Sequence, residues 1–318
     1  MSPVLDAQHD LAHPVEGDAA WSESYYFNCY DPDVDTGFFT RVGVRPNEGT
    51  IDVGLSIWQP GGGLARLRAV REQKEMVDRV LDVGPVRYEM LAAAKQWRIT
   101  AAGDSDVGPV AVDVTFDALI PPIGADGQGR EGEGASAETR QSVGRGHLEQ
   151  AGRWTGWIEV LGQRHLLGAD ARGNRDKSWG PRRWGGPRMW RWFSINIGDD
   201  THFGGIRIGT DAGDLHRGWV WKDGEHASVA NWDVRTELEG DGVTHKTTTV
   251  HVTDKRERTH ELKAELLRVD PGSSGVRPNT TIVNEGLARW TYEGKTGYGI
   301  AEYLHQLDEN AQPRVPIE

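Results

Sequence analysis

The sequence predicts a mostly β protein, and three of its features carry that prediction. Apolar and polar residues alternate over several stretches, as in residues 51–57 (IDVGLSI), which is the period of a strand with one buried face. Glycine occurs 41 times in 318 residues. Turn-forming pairs such as Asp223-Gly224 and Asp241-Gly242 separate the alternating stretches. Strands at this spacing favour antiparallel sheets or barrels over βαβ units.

The same patterns place the elements in order along the chain. Strands are predicted at 51–57, 110–116, 189–197, 202–208, 219–221, 243–253 and 260–269. Residues 71–81 (REQKEMVDRVL) are the best helix candidate, although a charged edge strand fits them as well. Residues 123–146 are rich in Gly and Glu and poor in aliphatic residues, which is typical of a mobile surface loop. A chain of this length is expected to form two ordinary domains or one large β structure.

Composition excludes several classes of protein. The hydrophobic content of 37% and the charged content of 26% are those of a folded globular chain. A net charge of −12 repels phosphate groups, so no nucleic-acid partner is expected. Cys29 is the only cysteine and excludes an intrachain disulfide. The first residues lack a signal-peptide pattern, and no apolar run reaches the roughly 20 residues of a membrane span. A cytoplasmic location is therefore expected, and a homodimer is left open.

Residues 173–186 (GNRDKSWGPRRWGG) combine charge, tryptophan and turn-forming glycine in one short segment. A carboxylate flanked by Arg175 and Lys177, as Asp176 is, usually belongs to a structural ion pair. The competing interpretation is a functional carboxyl in a pocket with a tryptophan wall, since Trp179 follows closely. An apolar wall favours the neutral acid and a guanidinium favours the carboxylate. The sequence therefore leaves the role of Asp176 open.

Tryptophan is concentrated in one part of the chain. Nine of the 13 tryptophans lie between Trp154 and Trp232, which predicts either a filled barrel core or an aromatic-lined ligand cavity. The 11 histidines show no paired zinc spacing. No metal and no cofactor are therefore predicted.

Several segments resemble one known family. RDKSWGPR (175–182) resembles the D-[HR]-[NS]-W-G signature of the carotenoid 1,2-hydratase and AttH-like group. The strand pair GHLEQAGRWTGWIEVLG (146–162), the glycine-rich EGLARWTYEGKTGYGIAEY (285–303) and the opening WSESYYFNCYDPDVDTGFFTRVGVRPN (21–47) are similar to the corresponding family segments. The resemblance covers most of the chain. It implies two lipocalin-like antiparallel β-barrels in tandem, here 1–168 and 169–318, with a ligand cavity near their junction.

The resemblance also implies roles for particular residues. Asp176 would protonate an alkene, and His147 would be its partner. Glu149 would share a proton with Asp176, because two close carboxylates do not both ionise easily. Three positions depart from the hydratases: Asn174 replaces a tyrosine, Glu149 replaces a tryptophan, and Lys177 stands where His or Arg is usual.

The remaining candidate residues would bind substrate. The tryptophans Trp154, Trp157, Trp190 and Trp192 would stabilise a carbocation by cation–π contact, and Trp179 would wall the pocket. Arg182 would stabilise an enolate or hold a polar substrate group, with Arg175 beside it.

Together these features predict a lyase or isomerase of hydratase, dehydratase or cyclase type that acts on a hydrophobic, terpenoid-like small molecule. General acid–base catalysis without a cofactor would carry the reaction. The alternative is a non-catalytic lipocalin-type protein that binds a hydrophobic small molecule in the same cavity, with Asp176 in a structural role.

Overall fold

A computed structural model describes residues 2–127, 144–183, 187–210, 213–274 and 280–318. The chain divides into two compact units. Among the described residues, the first contains 4–127 and 144–182, and the second contains 2–3 and 183–318.

The first unit is one antiparallel sheet of twelve strands. Its hydrogen-bonded order is β4-β3-β2-β1-β12-β10-β8-β7-β6-β5, and β9 and β11 also pair with β10. A short 3-10 helix, Ala7–Asp10, precedes it. The strands are β1 Trp21–Asp31, β2 Thr36–Arg45, β3 Thr50–Trp58, β4 Leu64–Glu72, β5 Val80–Asp82, β6 Val86–Ala92, β7 Gln96–Ser105, β8 Gly108–Ala118, β9 Ile123–Asp126, β10 Gly146–Val160, β11 Gln163–Leu166 and β12 Arg172–Pro181.

The second unit is a closed barrel of eight antiparallel strands in sequence order. Its strands are β13 Met189–Ile197, β14 Thr201–Thr210, β15 Gly213–Lys222, β16 Glu225–Leu238, β17 His245–Asp254, β18 Thr259–Ser274, β19 Thr281–Tyr292 and β20 Lys295–Gln306. Closure pairs β13 with β20, so the barrel has no open edge strand. These two units confirm the mostly β fold that the sequence predicts.

Strand alternation builds each core. Ile51, Val53, Leu55 and Ile57 of β3 are buried on one face of the first sheet, as their period of two predicts. The predicted strands at 110–116, 189–197, 202–208, 219–221 and 260–269 lie in β8, β13, β14, β15 and β18, and the stretch predicted at 243–253 becomes β17. The helix candidate at 71–81 is wrong, because β4 ends at Glu72 and Arg79 adopts a φ of 63° that a right-handed helix does not allow.

The division between the units differs from the predicted one at 168/169. Strand β12 pairs with β1 and with β10, so residues 172–181 belong to the first sheet and the chain passes to the second unit after Arg182. Most of the predicted loop at 123–146 lies outside the described residues, but its first four residues form strand β9 and its last residue begins strand β10, so the loop prediction is wrong at both ends. Among the described residues, no helix is long and apolar enough to cross a bilayer.

Candidate functional site

Strand β12 separates the charged residues of the predicted motif onto two faces of the sheet. Successive side chains of a strand point to opposite faces. Arg175 and Lys177 lie on the core face, where they pair with Asp10 and Glu23. Asp176 lies on the other face. The charged residues that are adjacent in the sequence of this motif therefore do not form one cluster in the structure.

A histidine–carboxylate dyad, His147 with Asp176, forms on that other face. Nε2 of His147 lies 2.6 Å from Oδ2 of Asp176. Glu149 is the register partner of Asp176 across β10 and β12, and its Oε1 lies 4.0 Å from Nε2 of His147. His147 and Glu149 are two positions apart on β10, so both project to the face that carries Asp176. The three predicted catalytic residues are brought together.

The dyad is reachable from solvent, unlike the ion pairs behind it. The side chains of His147 and Asp176 are 36% and 19% exposed, whereas Arg175 and Asp10 are 1% and 0% exposed. Glu149 is nearly buried at 5%. A small molecule can therefore approach the histidine and Asp176, with Glu149 beneath them.

Electrostatics keep a proton on the dyad. Burial lowers the pKa of His147, but the charge of Asp176, the hydrogen bond to it and the charge of Glu149 outweigh burial and raise that pKa to about 9. Arg182 opposes this increase weakly. The imidazole is therefore protonated at neutral pH.

Two arginines bring positive charge to the same region. Nη1 of Arg182 donates to Oγ of Ser178 at 3.2 Å, and Ser178 is the register partner of His147. Arg41 on β2 is close enough to Asp176 and Arg182 to interact with their charges. Burial lowers the pKa of Arg41 to about 10, while the charges of Asp52 and Asp176 act against this. Arg182 therefore lies near the dyad, and so does Arg41, which sequence reasoning missed.

Arg175 is not positioned to bind substrate from this face. Its Nη1 and Nη2 donate to the two carboxylate oxygens of Asp10 at 2.6 and 2.9 Å, and its Nε donates to Oε1 of Gln150 at 2.7 Å. All three side chains are buried. The sequence left open whether Asp176 belongs to a buried structural ion pair. In the structure, such a buried pair is formed by the neighbouring Arg175 with Asp10.

Trp179 does not wall the dyad, because it lies on the core face of β12. Its ring stacks on His13 with centroids 3.9 Å apart and planes 9° apart. Nζ of Lys177 lies 5.5 Å from the indole centroid, and donates to the carbonyls of His9 and Leu11 at 2.9 and 2.6 Å. The tryptophan thus helps to hold the N-terminal segment against the sheet.

The other predicted tryptophans have separate environments. Trp154 is fully buried among Phe27, Phe38 and Phe116, and its Nε1 donates to the carbonyl of Asn28 at 2.8 Å. This ring is a core residue and does not line a ligand site, because close packing surrounds it on the core face. Trp157 is half-buried, with the guanidinium of Arg164 3.8 Å from its ring centroid.

Trp190 and Trp192 belong to the second unit. Nε1 of Trp190 donates to Oε1 of Glu302 at 2.6 Å, and Trp192 is the register partner of the same glutamate. Both lie on strand β13, whereas Asp176 lies on strand β12 of the first unit. The cavity predicted at the junction of the barrels stays a prediction.

A separate polar cavity of about 450 Å³ lies at one end of the second barrel. Its lining includes Lys222, Glu225, Arg258, His260, Tyr292 and Glu293. These residues are mostly charged or hydrogen-bonding, so this cavity differs from the aromatic hollow that the tryptophans predict.

The dyad and Glu149 are also the group most suited to hold a cation among the described residues. One ligand atom from each lies within 4.8 Å of the other two. However, a separation of 2.6 Å between Nε2 and Oδ2 is that of a hydrogen bond. Two ligands of one zinc-sized ion lie about 3 Å or more apart at bond lengths near 2 Å. The observed arrangement is that of a proton-sharing pair.

Comparison with solved structures shows the fold. The chain is similar to a protein of Nitrosomonas europaea assigned as AttH (15% identity, TM-score 0.65, covering 92% of this chain and 98% of that one). It is also similar to CghA (13%, 0.62, 92% and 89%) and to kievitone hydratase from Nectria haematococca (12%, 0.61, 96% and 94%). These likenesses agree with the tandem lipocalin-like architecture that the resemblance implies.

No curated protein matches the sequence significantly. One family model does match, over residues 6–307, and it is described as a domain of unknown function. The match spans both units, and so the chain belongs to the DUF7064 family.

Proposed function

We propose that this protein is a hydro-lyase that adds water to, or removes it from, a carbon–carbon double bond of a hydrophobic small molecule. The single observation that carries the proposal is the accessible His147–Asp176 dyad with Glu149 beside it. The Asp10–Arg175 and Glu23–Lys177 pairs on the core face of β12 are sealed, whereas the pair at Asp176 can be reached.

The dyad supplies what alkene hydration needs first, which is a proton donor at neutral pH. Because the pKa of His147 is raised to about 9, the pair holds one proton that a free histidine and aspartate would release. His147 passes that proton across the hydrogen bond to Asp176, which delivers it to one alkene carbon. The C=C π bond breaks as the C–H bond forms.

The second step completes the balance of atoms. The oxygen of a water molecule bonds to the cationic carbon, and one proton of that water passes to Glu149 or back to the dyad. Arg182 and Arg41 hold a polar group of the substrate, since both lie near Asp176. Dehydration is the same path in reverse. The chemistry uses acid–base groups alone, so it requires no redox cofactor.

The comparisons support the reaction class. One similar structure is named kievitone hydratase, and the name denotes the addition of water to kievitone. Because the identity is only 12%, this likeness suggests a compound to test and does not identify the substrate. A terpenoid-like alkene stays the substrate class that we propose.

The test measures incorporation of ¹⁸O. The protein is incubated in H₂¹⁸O with kievitone and with a panel of isoprenoid alkenes, and mass spectrometry detects products heavier by one ¹⁸O-labelled water. Asp176→Asn and His147→Gln should each lower turnover at least about 100-fold, the usual contribution of a general acid. Asp113→Asn and His165→Gln remove a surface carboxylate and a surface histidine from the same unit, and should retain turnover.

Two results would count against the proposal. Full turnover in Asp176→Asn would remove this residue from the mechanism. Tight binding of the alkenes, with no labelled product from any of them, would favour the alternative of a non-catalytic carrier of hydrophobic small molecules.

A further inference from the structure

One end of the second barrel contains four buried side chains that the proposed reaction does not use. Arg191, His245, Tyr303 and His305 form this Arg191 cluster, and each is at most 1% exposed. The guanidinium carbon of Arg191 lies 4.3 Å from the centroid of the Tyr303 ring. The His245 ring stacks on the same tyrosine with centroids 4.1 Å apart and planes 2° apart.

Several nitrogen atoms of this cluster have no hydrogen-bond partner among the described residues. They are Nε and Nη2 of Arg191, both ring nitrogens of His305 and Nδ1 of His245. Buried polar groups in folded proteins are almost always satisfied. Nε and Nη2 of Arg191 are donors in every protonation state, so these two atoms indicate a missing acceptor, and the charge of Arg191 determines its sign.

The free atoms of Arg191 lie on one edge of its guanidinium. Nη1 donates to the carbonyl of Trp190 at 2.9 Å, which leaves Nε and Nη2, the two adjacent donors that grip a carboxylate in a two-pronged contact. The tyrosine does not serve as that acceptor, because its hydroxyl is shared with Thr236 and Thr248 at 2.7 and 3.0 Å.

Nearby carboxylates of the chain are already paired. The carboxylates whose charges reach Arg191 are Glu318 and Asp214. Both bind Arg207, at 2.6 Å from its Nη2 and 2.6 Å from its Nε respectively. Within the described residues, the buried guanidinium is therefore left with no carboxylate of its own.

The two histidines suit an anion that is held by the arginine. Burial, together with the charge of Arg191, lowers the pKa of His305 to about 3 and that of His245 to about 4. Both imidazoles are neutral at pH 7, and a neutral imidazole still offers one N–H donor. For His245 that donor is Nε2, which lies 2.8 Å from the carbonyl of Ala301, so the spare donor is on His305.

We infer that the Arg191 cluster is a binding site for a small carboxylate anion inside the second barrel, gripped by Nε and Nη2 of Arg191 with His305 as a further donor. The rest of the interior is filled by large rings such as Phe193, Trp232 and Trp290, so the anion is of formate or acetate size. None of its residues belongs to the dyad on the first sheet.

Thermal unfolding at pH 7 in sodium acetate or sodium formate, against sodium chloride at equal ionic strength, tests the site. The wild type should show a saturable rise in Tm, on the order of 5–10 °C when the anion is a hundred times above its Kd. Arg289→Met, which removes an exposed arginine of the same barrel, should keep this rise. Isothermal titration calorimetry with acetate should give one site per chain.

Arg191→Met should abolish the rise, and its Tm in chloride should equal or exceed that of the wild type, because a buried charge without a partner destabilises a fold. Arg191→Lys keeps the charge without the two-pronged edge, and should weaken acetate binding at least tenfold. Three results would overturn the inference. The first is a wild-type Tm that does not change with acetate, and the second is an acetate-dependent rise in Tm that persists in Arg191→Met. The third is an Arg191→Met protein that is severely destabilised in chloride.

Discussion

The buried pair of Arg175 and Asp10 yields the sharpest prediction about stability. Replacing Arg175 with Met keeps most of the side-chain volume and removes the charge. The carboxylate of Asp10 would still accept from the backbone N–H of Ala94 at 2.6 Å and from Nε1 of Trp97 at 3.3 Å. It would lose both of its contacts to a cation.

The magnitude follows from burial. Both side chains are at most 1% exposed, and removing one partner of a buried pair typically costs about 3–5 kcal/mol. Arg98 offers a matched control, because it also donates two hydrogen bonds to one carboxylate, from its Nε and Nη2 to Asp113 at 2.8 and 2.7 Å. That pair is exposed at 45% and 33%, so Arg98→Met should lower the free energy of unfolding by no more than about 1 kcal/mol.

Urea titration with hydrogen-exchange mass spectrometry measures each unit separately. Peptides from β1 and β12 report the first unit, and peptides from β17 report the second. Arg175→Met should shift only the first-unit transition. Adding Asp10→Asn to it should recover part of the loss, because the uncompensated charge is then gone.

Two outcomes would refute this reasoning. One is a loss in Arg175→Met as small as that in Arg98→Met. The other is a double variant that is less stable than the sum of the two single changes predicts.

Two further predictions concern the dyad and the tryptophans. The folded-state pKa of His147 is about 9, above its unfolded value near 6.5, so its stabilising contribution is complete below pH 6.5 and is lost as the pH rises through about 9. Urea unfolding at pH 6, 7.5 and 9.5 should show that the difference in free energy of unfolding between wild type and His147→Gln becomes smaller as the pH rises. A difference that stays constant with pH would contradict the raised pKa. Trp154→Ala should lower the free energy of unfolding by about 3–5 kcal/mol, because the ring is fully buried, whereas the half-buried Trp157→Ala should cost less than about 1.5 kcal/mol. Similar losses in the same denaturation assay would show that the two indoles are not in different environments.

Local pattern was sufficient to predict the mostly β fold class, whereas the two barrels in tandem were predicted from the family resemblance. Residues such as Ile51 and Val53 obey a period of two because each strand has one buried face, and that signal does not depend on distant parts of the chain. The grouping of His147, Glu149 and Asp176 could also be predicted, because Asp176 lies in a recognisable motif and the other two residues lie on one neighbouring strand.

What sequence could not supply was the identity of long-range partners. Asp10 pairs with Arg175 across 165 positions, and no local signal marks that pairing. For the same reason Trp179 and Asp176 could not be assigned to opposite faces until β12 was known to be a strand. The end of the first sheet was misplaced because the chain returns to β1 after β10.

That return governs the order in which the protein can be completed during synthesis. β12 lies between β1 and β10 in the sheet but is the last of its strands to leave the ribosome. Until then, β1 exposes one unpaired edge. The carboxylates of Asp10 and Glu23 also form their ion pairs only after β12 is present, because Arg175 and Lys177 lie on that strand. The first sheet is therefore completed only after all of its other strands have been synthesised.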